Sequence, residues 1–382
     1  EFHRRATPHR GRLECSLMIL RKGFTMPLKL DRGTNISHWL SQSDQRGAWR
    51  RDRLTWEDVA RLGEWGFDHL RLPIDEEQMW TPTLQRESEA FDLLAQALEW
   101  CRKAGMKAIV DLHILRSHFF NNAVKPLFTD PEQPEKFAWL WGDLSSFLHT
   151  WSNDMVAYEL MNEPVADHDD DWNRVAAYPY AEIRRREPQR TILLGANRWN
   201  VLDTFDNLLI PPNDRELILT FHFYRPFPVT HFRAAWDALR GFHGPVHYPG
   251  VPIGEAEWAA LPASLRERFT IDRHNRHYDR TVMEQDLVQP LRARARTGLA
   301  LYCGEFGALA TLPDATRCRW YHDFLGVLSR LGIGWSNWDF RYQDEFGMLD
   351  EDRQPTSVWN CLMADNLASH GTDTWGASGR LS

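Results

Sequence analysis

The chain runs to 382 residues, with 45 Lys and Arg against 53 Asp and Glu for a formal net charge of −8, and with 43% hydrophobic and 26% charged residues. These globular proportions exclude wholesale disorder, and the acidic balance argues against a nucleic-acid partner, whose phosphates need clustered Lys and Arg. No apolar run approaches the ~20 residues that a membrane-crossing helix requires, so no membrane partner is expected.

The start, EFHRRATPHRGRLE, is basic and has no apolar core of the kind a secretory leader carries. Residues 1–27 are therefore expected to be an extension outside the fold. Secretion is the expected localisation, with any leader outside these residues and the cytoplasm as the alternative.

From residue 28 short apolar runs alternate with amphipathic segments. Residues 28–35 read as the first strand. A helix opens near Thr55, with Asp58 three residues on as a capping-box partner, and Gly66 stops it before a second strand over 67–72. A long amphipathic helix over 91–104 ends at Gly105 and leads into a third strand, 106–112. A polar and aromatic loop, 117–134, precedes a helix over 135–150 and a fourth strand over 155–160. A helix over 172–186, a fifth strand over 191–195 and a sixth running from 217 to Tyr224 follow.

A long connection, 225–298, then breaks the rhythm. Its first part reads as an ordered excursion across one face, and 274–296 has the composition of a helix. The seventh strand is expected at 299–303, a helix at 315–330, the eighth strand at 332–338 and a closing helix at 356–367, with a flexible tail over 368–382. Eight alternating units predict parallel crossovers, and so an α/β fold: a TIM (β/α)8 barrel with a long excursion after strand 6, forming one domain over 28–367.

The chemistry gathers at strand ends. Residues 155–164 read MVAYELMNEP, an apolar run that turns polar at Asn162 and Glu163 before Pro164 blocks further ladder pairing. Residues 299–307 read LALYCGEFG and set Glu305 between glycines. A parallel barrel brings the carboxyl ends of its strands to one mouth, so these two glutamates would face each other there. Paired carboxylates are what cleavage of a glycosidic bond requires.

Arg71, His113, His222 with Tyr224, and Trp338 occupy the same topological position. Singly each has a plainer explanation: an ion-pair partner for Arg71, satisfied core histidines for His113 and His222, a turn cap for Asn162. Their recurrence at strand ends carries the argument. In a retaining mechanism Glu305 would attack the anomeric carbon and Glu163 would donate to the departing oxygen, then act as base toward water. Arg71 would hold Glu305 charged, Tyr224 would hydrogen-bond it, and Asn162 would meet the sugar 2-hydroxyl. His222 would tune Glu163, His113 would bind sugar hydroxyls or orient its neighbours, and Trp338 would form the floor under the sugar.

Among the 18 tryptophans, Trp39, Trp80, Trp172 and Trp199 are weaker candidates for flanking subsites, with core packing an equal reading. Asp111 is expected as a buried partner beneath the mouth. Cys101 and Cys303 read as buried thiols, and the five cysteines show neither paired nor metal-site spacing. The run His168 to Asp171 reads as a solvated acidic loop, so no surface metal is expected there.

At these residues the chain resembles glycoside hydrolase family 5, the cellulase family of retaining barrel hydrolases. The acid/base motif is similar to Asn162-Glu163-Pro164 and the nucleophile motif to Gly304-Glu305-Phe306-Gly307; RLP with Arg71, DLH with His113, HFY with His222 and Tyr224, and WSNWDF with Trp338 complete the set. The resemblance covers about 28–367. It implies hydrolysis of a beta-linked polysaccharide or oligosaccharide with retention and without a cofactor, most like the bacterial endo-1,4-beta-glucanases. Mannanase, mixed-linkage or 1,3-glucanase, and glycolipid or exo-acting glycosidase are the alternatives within the family, and a non-catalytic carbohydrate-binding barrel the alternative outside it.

Overall fold

The computed structural model describes residues 28–341 and 346–370, so the expected extension over 1–27 and the tail beyond 370 lie outside the described residues. Eight parallel strands close into a barrel in sequence order. They are β1 (Arg32–Asn35), β2 (His69–Asp75), β3 (Lys107–Ile114), β4 (Val156–Glu159), β5 (Ile192–Gly195), β6 (Leu217–Phe223), β7 (Ala300–Phe306) and β8 (Gly334–Asn337). The expected (β/α)8 barrel is the observed fold.

Side chains alternate along each strand, and both faces are covered, which is why the strands read as nearly continuous apolar runs. Leu70, Leu72 and Ile74 of β2 point outward into the core beneath the helices. Leu28, Leu30, Ile109, Ala157, Leu193, Ile218 and Tyr302 fill the barrel near the amino ends of the strands. Above that apolar layer the interior turns polar, with Asn35, Arg71, Asp111, Glu159 and Thr220 all fully buried.

Four helices form the first half of the outer ring: α1 (Trp56–Glu64), α2 (Ser88–Lys103), α3 (Gln133–Leu148) and α4 (Asp169–Arg186). The capping box at α1 is formed: the Thr55 hydroxyl accepts from the Asp58 N–H, and the Asp58 carboxylate accepts from the Thr55 N–H. Along α2, Ala90, Leu94, Ala97, Leu98 and Cys101 recur at helical spacing and are all buried.

Between β5 and β6 the chain departs from the repeating pattern. Arg198, Trp199 and Asn200 adopt left-handed backbone, with φ of 58°, 63° and 52°, before a 3-10 turn at Leu202–Asn207. The 225–298 connection is ordered, with short helices at Phe227–Thr230, Glu255–Ala260, Ala263–Arg268 and Ile271–His274. The one helix expected over 274–296 is two: Arg280–Asp286, capped by the Asp279 carboxylate, and α5 (Val288–Thr297). Pro290 explains the break. It has no N–H to give to the Asp286 carbonyl, so the helix must restart just before it.

The last helices, α6 (Asp314–Leu331) and α7 (Ser357–His370), are joined by a disulfide between Cys318 and Cys361. Cys101 and Cys303 are buried thiols, as their positions predicted. The disulfide was not visible in the spacing because its partners sit 43 residues apart on separate helices.

Candidate active site

Arg71 is the centre of the barrel's polar layer. Its side chain is fully buried, so every N–H must find an acceptor inside the protein. Nε and Nη2 donate to the two oxygens of Glu159 at 2.7 and 3.0 Å, a bidentate pair. Nη1 donates to Asn35 Oδ1 at 2.8 Å and to Glu305 Oε1 at 2.9 Å. Nη2 also reaches Asn162 Oδ1 and Asp111 Oδ2, each at 3.0 Å. One cation thus ties β1, β2, β3, β4 and β7 together directly beneath the mouth.

Two register shifts aim the next layer. Between β6 and β7 the pairing steps from Phe221 with Cys303 to His222 with Glu305, leaving Gly304 as the extra residue and bringing His222 beside Glu305. A Cβ at Gly304 would stand 2.9 Å from Thr220 Oγ1 and 3.3 Å from His222 Nε2, so the close approach needs glycine. Between β2 and β3 the shift falls at His113, whose Nδ1 then lies 2.7 Å from Asp111 Oδ2.

Glu163 follows the end of β4 in left-handed backbone, φ 44°. Its Oε1 is 2.8 Å from His222 Nδ1, and the same nitrogen is 3.5 Å from Glu305 Oε2. The Tyr224 hydroxyl donates to Glu305 Oε2 at 3.1 Å. Ligand atoms of Glu163, His222 and Glu305 all fall within 4.8 Å of one another. Carboxyls about 5 to 5.5 Å apart belong to retaining glycosidases, whereas inverting enzymes need about 6.5 to 9.5 Å to admit a water.

Burial pushes both glutamates above the ordinary carboxylate range. For Glu163 the negative charge of Glu305 adds to the rise. For Glu305 the Arg71 guanidinium opposes it, together with the Tyr224 hydrogen bond. A proton shared by the pair therefore rests on Glu163, the group without a direct cation contact. Deeper in, burial raises Asp111 to about 7 and Glu159 to about 6 against the pull of Arg71. His113 and His222 are driven well below their usual value by burial and by Arg71, so both are neutral.

Glu163, His222 and Glu305 also make up the metal-ligand-like group found among the described residues. With a guanidinium 2.9 Å from Glu305, that group is a poor seat for a cation. In the acidic run, Asp169 accepts from the side-chain amides of Asn197 and Asn207 at 2.8 and 2.7 Å and braces the following loop.

Trp338 lies over the site, its ring stacked on His113 at 5.7 Å and 13°, with His38 edge-on at 6.3 Å. Trp39 does not join them. It is 1% exposed, its indole N–H donates to the Arg50 carbonyl at 2.8 Å, and it packs within the core, so its expected place in the cleft is corrected to a packing role. Trp80 and Trp172 are likewise buried, with their N–H groups on Asp143 and the Gly195 carbonyl, while Trp199 is 43% exposed. In the polar and aromatic loop over 117–134, His118 turns inward, and Phe120 packs edge-on against His113 at 6.0 Å.

Sequence reasoning overlooked Glu159, Asn35, His38 and Asn200. Glu159 had a signal: a charge inside an apolar strand run, two residues from inward-facing Ala157 and so on the same face. Asn35 ends β1 and so had the strand-end signal as well, whereas His38 and Asn200 are polar residues in turns, where composition distinguishes nothing.

Compared with known proteins, residues 31–344 match the family described as Cellulase (glycosyl hydrolase family 5). The chain belongs to that family. Among curated family relatives, Endoglucanase C of Acetivibrio thermocellus is 29% identical over 335 residues, covering 85% of this chain and 95% of that one. Cellodextrinase A of Ruminococcus flavefaciens is 28% identical over 307 residues, covering 79% and 83%. The solved endoglucanase Cel5A of Thermotoga maritima superposes with a TM-score of 0.69 at 20% identity, covering 87% of this chain and 96% of that one. At that identity the superposition speaks for the shared barrel. As a family 5 glycoside hydrolase, this chain has in Glu163 and Glu305 the glutamate pair of a retaining mechanism.

Proposed function

We propose that this chain is a retaining endo-beta-1,4-glucanase that cuts internal bonds of cellulose or a related beta-glucan. The observation that carries the reading is the approach of Glu163 and Glu305 within 4.8 Å through His222, one carboxyl bound by Arg71 and the other not. Family relatives named as endoglucanases support the glucan as substrate.

In the first step a Glu305 oxygen attacks the anomeric carbon, and the bond to the leaving sugar breaks as Glu163 gives its proton to the departing oxygen. A glycosyl ester on Glu305 results. In the second step Glu163, now a carboxylate, takes a proton from water as that water attacks the same carbon and releases Glu305. Arg71 and Tyr224 hold Glu305 in line, and Trp338 offers the sugar a flat apolar face.

A second reading, action on short oligosaccharides, is favoured by the excursion. His231 packs on Tyr224 at 5.2 Å, and Trp236, 57% exposed, lies 6.3 Å from Phe346, so aromatic bulk stands at one side of the site. An activity panel of carboxymethyl-cellulose, mixed-linkage glucan, laminarin, glucomannan, mannan and xylan, with products separated by length, tests both. Mixed oligosaccharides from 1,4-linked glucans support the endoglucanase; a single short product, or cleavage confined to mannan, replaces it. The Cys318–Cys361 disulfide supports secretion as the localisation, because such bonds persist in oxidising compartments.

A further inference from the structure

The left-handed turn after β5 touches two neighbours of the catalytic acid, Pro164 and His222. The Trp199 N–H donates to the carbonyl of Pro164, the residue after Glu163, at 3.2 Å. Asn200, fully buried, sets Nδ2 3.5 Å from His222 Nε2, the ring nitrogen opposite the one that meets Glu163. Consecutive left-handed residues with a Cβ are uncommon and persist where the surroundings over-determine them. Here the Thr204 hydroxyl ties the turn to the Asn197 carbonyl at 2.8 Å, and Gly195 leaves the space, since a Cβ there would stand 2.4 Å from Asn200 Oδ1.

We propose that Asn200 is a positioning residue that selects the tautomer of His222 and thereby governs proton transfer by Glu163. The proposal rests on the retaining-glycosidase reading. A neutral imidazole carries one proton, and which nitrogen holds it is set by the partner of the other. With the Asn200 amide donating to Nε2, the proton sits on Nδ1 and points at Glu163. When Glu163 passes its own proton to the leaving oxygen, the new carboxylate already has a donor. The 3.5 Å contact is at the long limit of a hydrogen bond, a common state for catalytic contacts before substrate arrives.

Among the described contacts Asn200 is the hydrogen-bond partner of Nε2, while a carboxylate at Nδ1 favours the same tautomer. Glu163 and Glu305 both face Nδ1, while Arg71 and His113 act across the mouth as a positive charge and a second neutral ring. Gly304 flanks Nε2 and offers no side chain.

The test compares Asn200→Ala with the parent on two cellobiosides, one with a dinitrophenyl leaving group that departs without acid help and one with a poorly acidic phenol. Loss of about tenfold or more on the poor leaving group, with less than about threefold on the good one, is expected. The alkaline limb of kcat/KM should rise, because a bare Nδ1 favours protonated Glu163. Equal losses on both substrates with an unmoved pH profile in a folded variant would overturn the proposal and leave a structural role. Should the variant not fold, imidazole 15N shifts of the parent, assigned against His222→Gln, decide: a protonated Nδ1 on His222 supports the proposal and a protonated Nε2 overturns it. A parent inactive on both cellobiosides and on the polysaccharide panel would instead overturn the glycosidase reading itself.

Discussion

Arg71 Nη1 lies 2.9 Å from Glu305 Oε1, while the rest of the same guanidinium is taken up by Glu159, Asp111, Asn162 and Asn35. The nucleophile is therefore held by a cation that the barrel itself has locked in place.

Arg71→Lys should fold poorly and act worse. An ammonium cannot span the five side chains that the planar fork reaches, and a buried carboxylate left without its partner costs about 3 to 5 kcal/mol. A fall of at least about a hundredfold in kcat/KM, with a lower Tm, is the expected result. Near-parental kcat/KM would show that Arg71 is only structural.

Glu163→Gln and Glu305→Gln separate the two roles. Loss of the nucleophile should abolish turnover of every substrate. Loss of the acid should slow polysaccharide cleavage by about 10² to 10⁴-fold while an activated aryl glycoside still reacts in a burst. In the parent, activity should fall at high pH as Glu163 ionises, and that limb should lie above the ordinary carboxylate range because burial and the Glu305 charge hold its proton. An alkaline limb that survives in Glu163→Gln would assign it to another group.

Glu159→Gln should move the acid limb. The charge of Glu159 raises Glu305, so removing it lets Glu305 ionise at lower pH, and the acid limb of kcat/KM should shift downward. A shift upward would mean that the reoriented guanidinium, not the deleted charge, dominates.

His118 makes acid stability testable. Its buried Nε2 accepts the Val165 N–H at 3.1 Å, and burial lowers its pKa to about 3. The unfolded chain binds that proton more readily than the folded one, so the stability this neutral ring contributes is complete above its unfolded pKa of about 6.5 and is lost as pH falls toward about 3. His118→Gln keeps an acceptor without a titrating ring. Urea unfolding between those values should show a pH slope smaller by up to about one proton.

Opening the Cys318–Cys361 disulfide, by reduction or by a double Ser variant, should lower stability by about 2 to 4 kcal/mol, given a loop of 43 residues between helices α6 and α7. Neither cysteine belongs to the polar layer or to the glutamate pair, so kcat at low temperature should be unchanged. Loss of activity in parallel with partial unfolding of α7 would tie that helix to the site.

The sequence by itself determined the eight-fold alternation, because both faces of a parallel barrel are buried and each strand must read as an apolar run between amphipathic helices. It also determined which polar residues enter the barrel's upper interior, since Glu163, Glu305, Arg71, His113 and His222 interrupt those runs. Arg71, however, expected at the end of a strand over 67–72, lies within β2, which runs on to Asp75. Tertiary structure alone decided the rest. Trp39 and an exposed subsite tryptophan have the same side chain, and it is the surrounding core together with the Arg50 carbonyl beside its N–H that holds Trp39 inward. Glu159 became the main partner of Arg71 because barrel closure brings β2 and β4 across the interior. Asn200 met His222, and Cys318 met Cys361, through contacts 22 and 43 residues apart that no local pattern encodes. Propensity and periodicity act between neighbours in the chain; a hydrogen bond or a disulfide is chosen by distance in space.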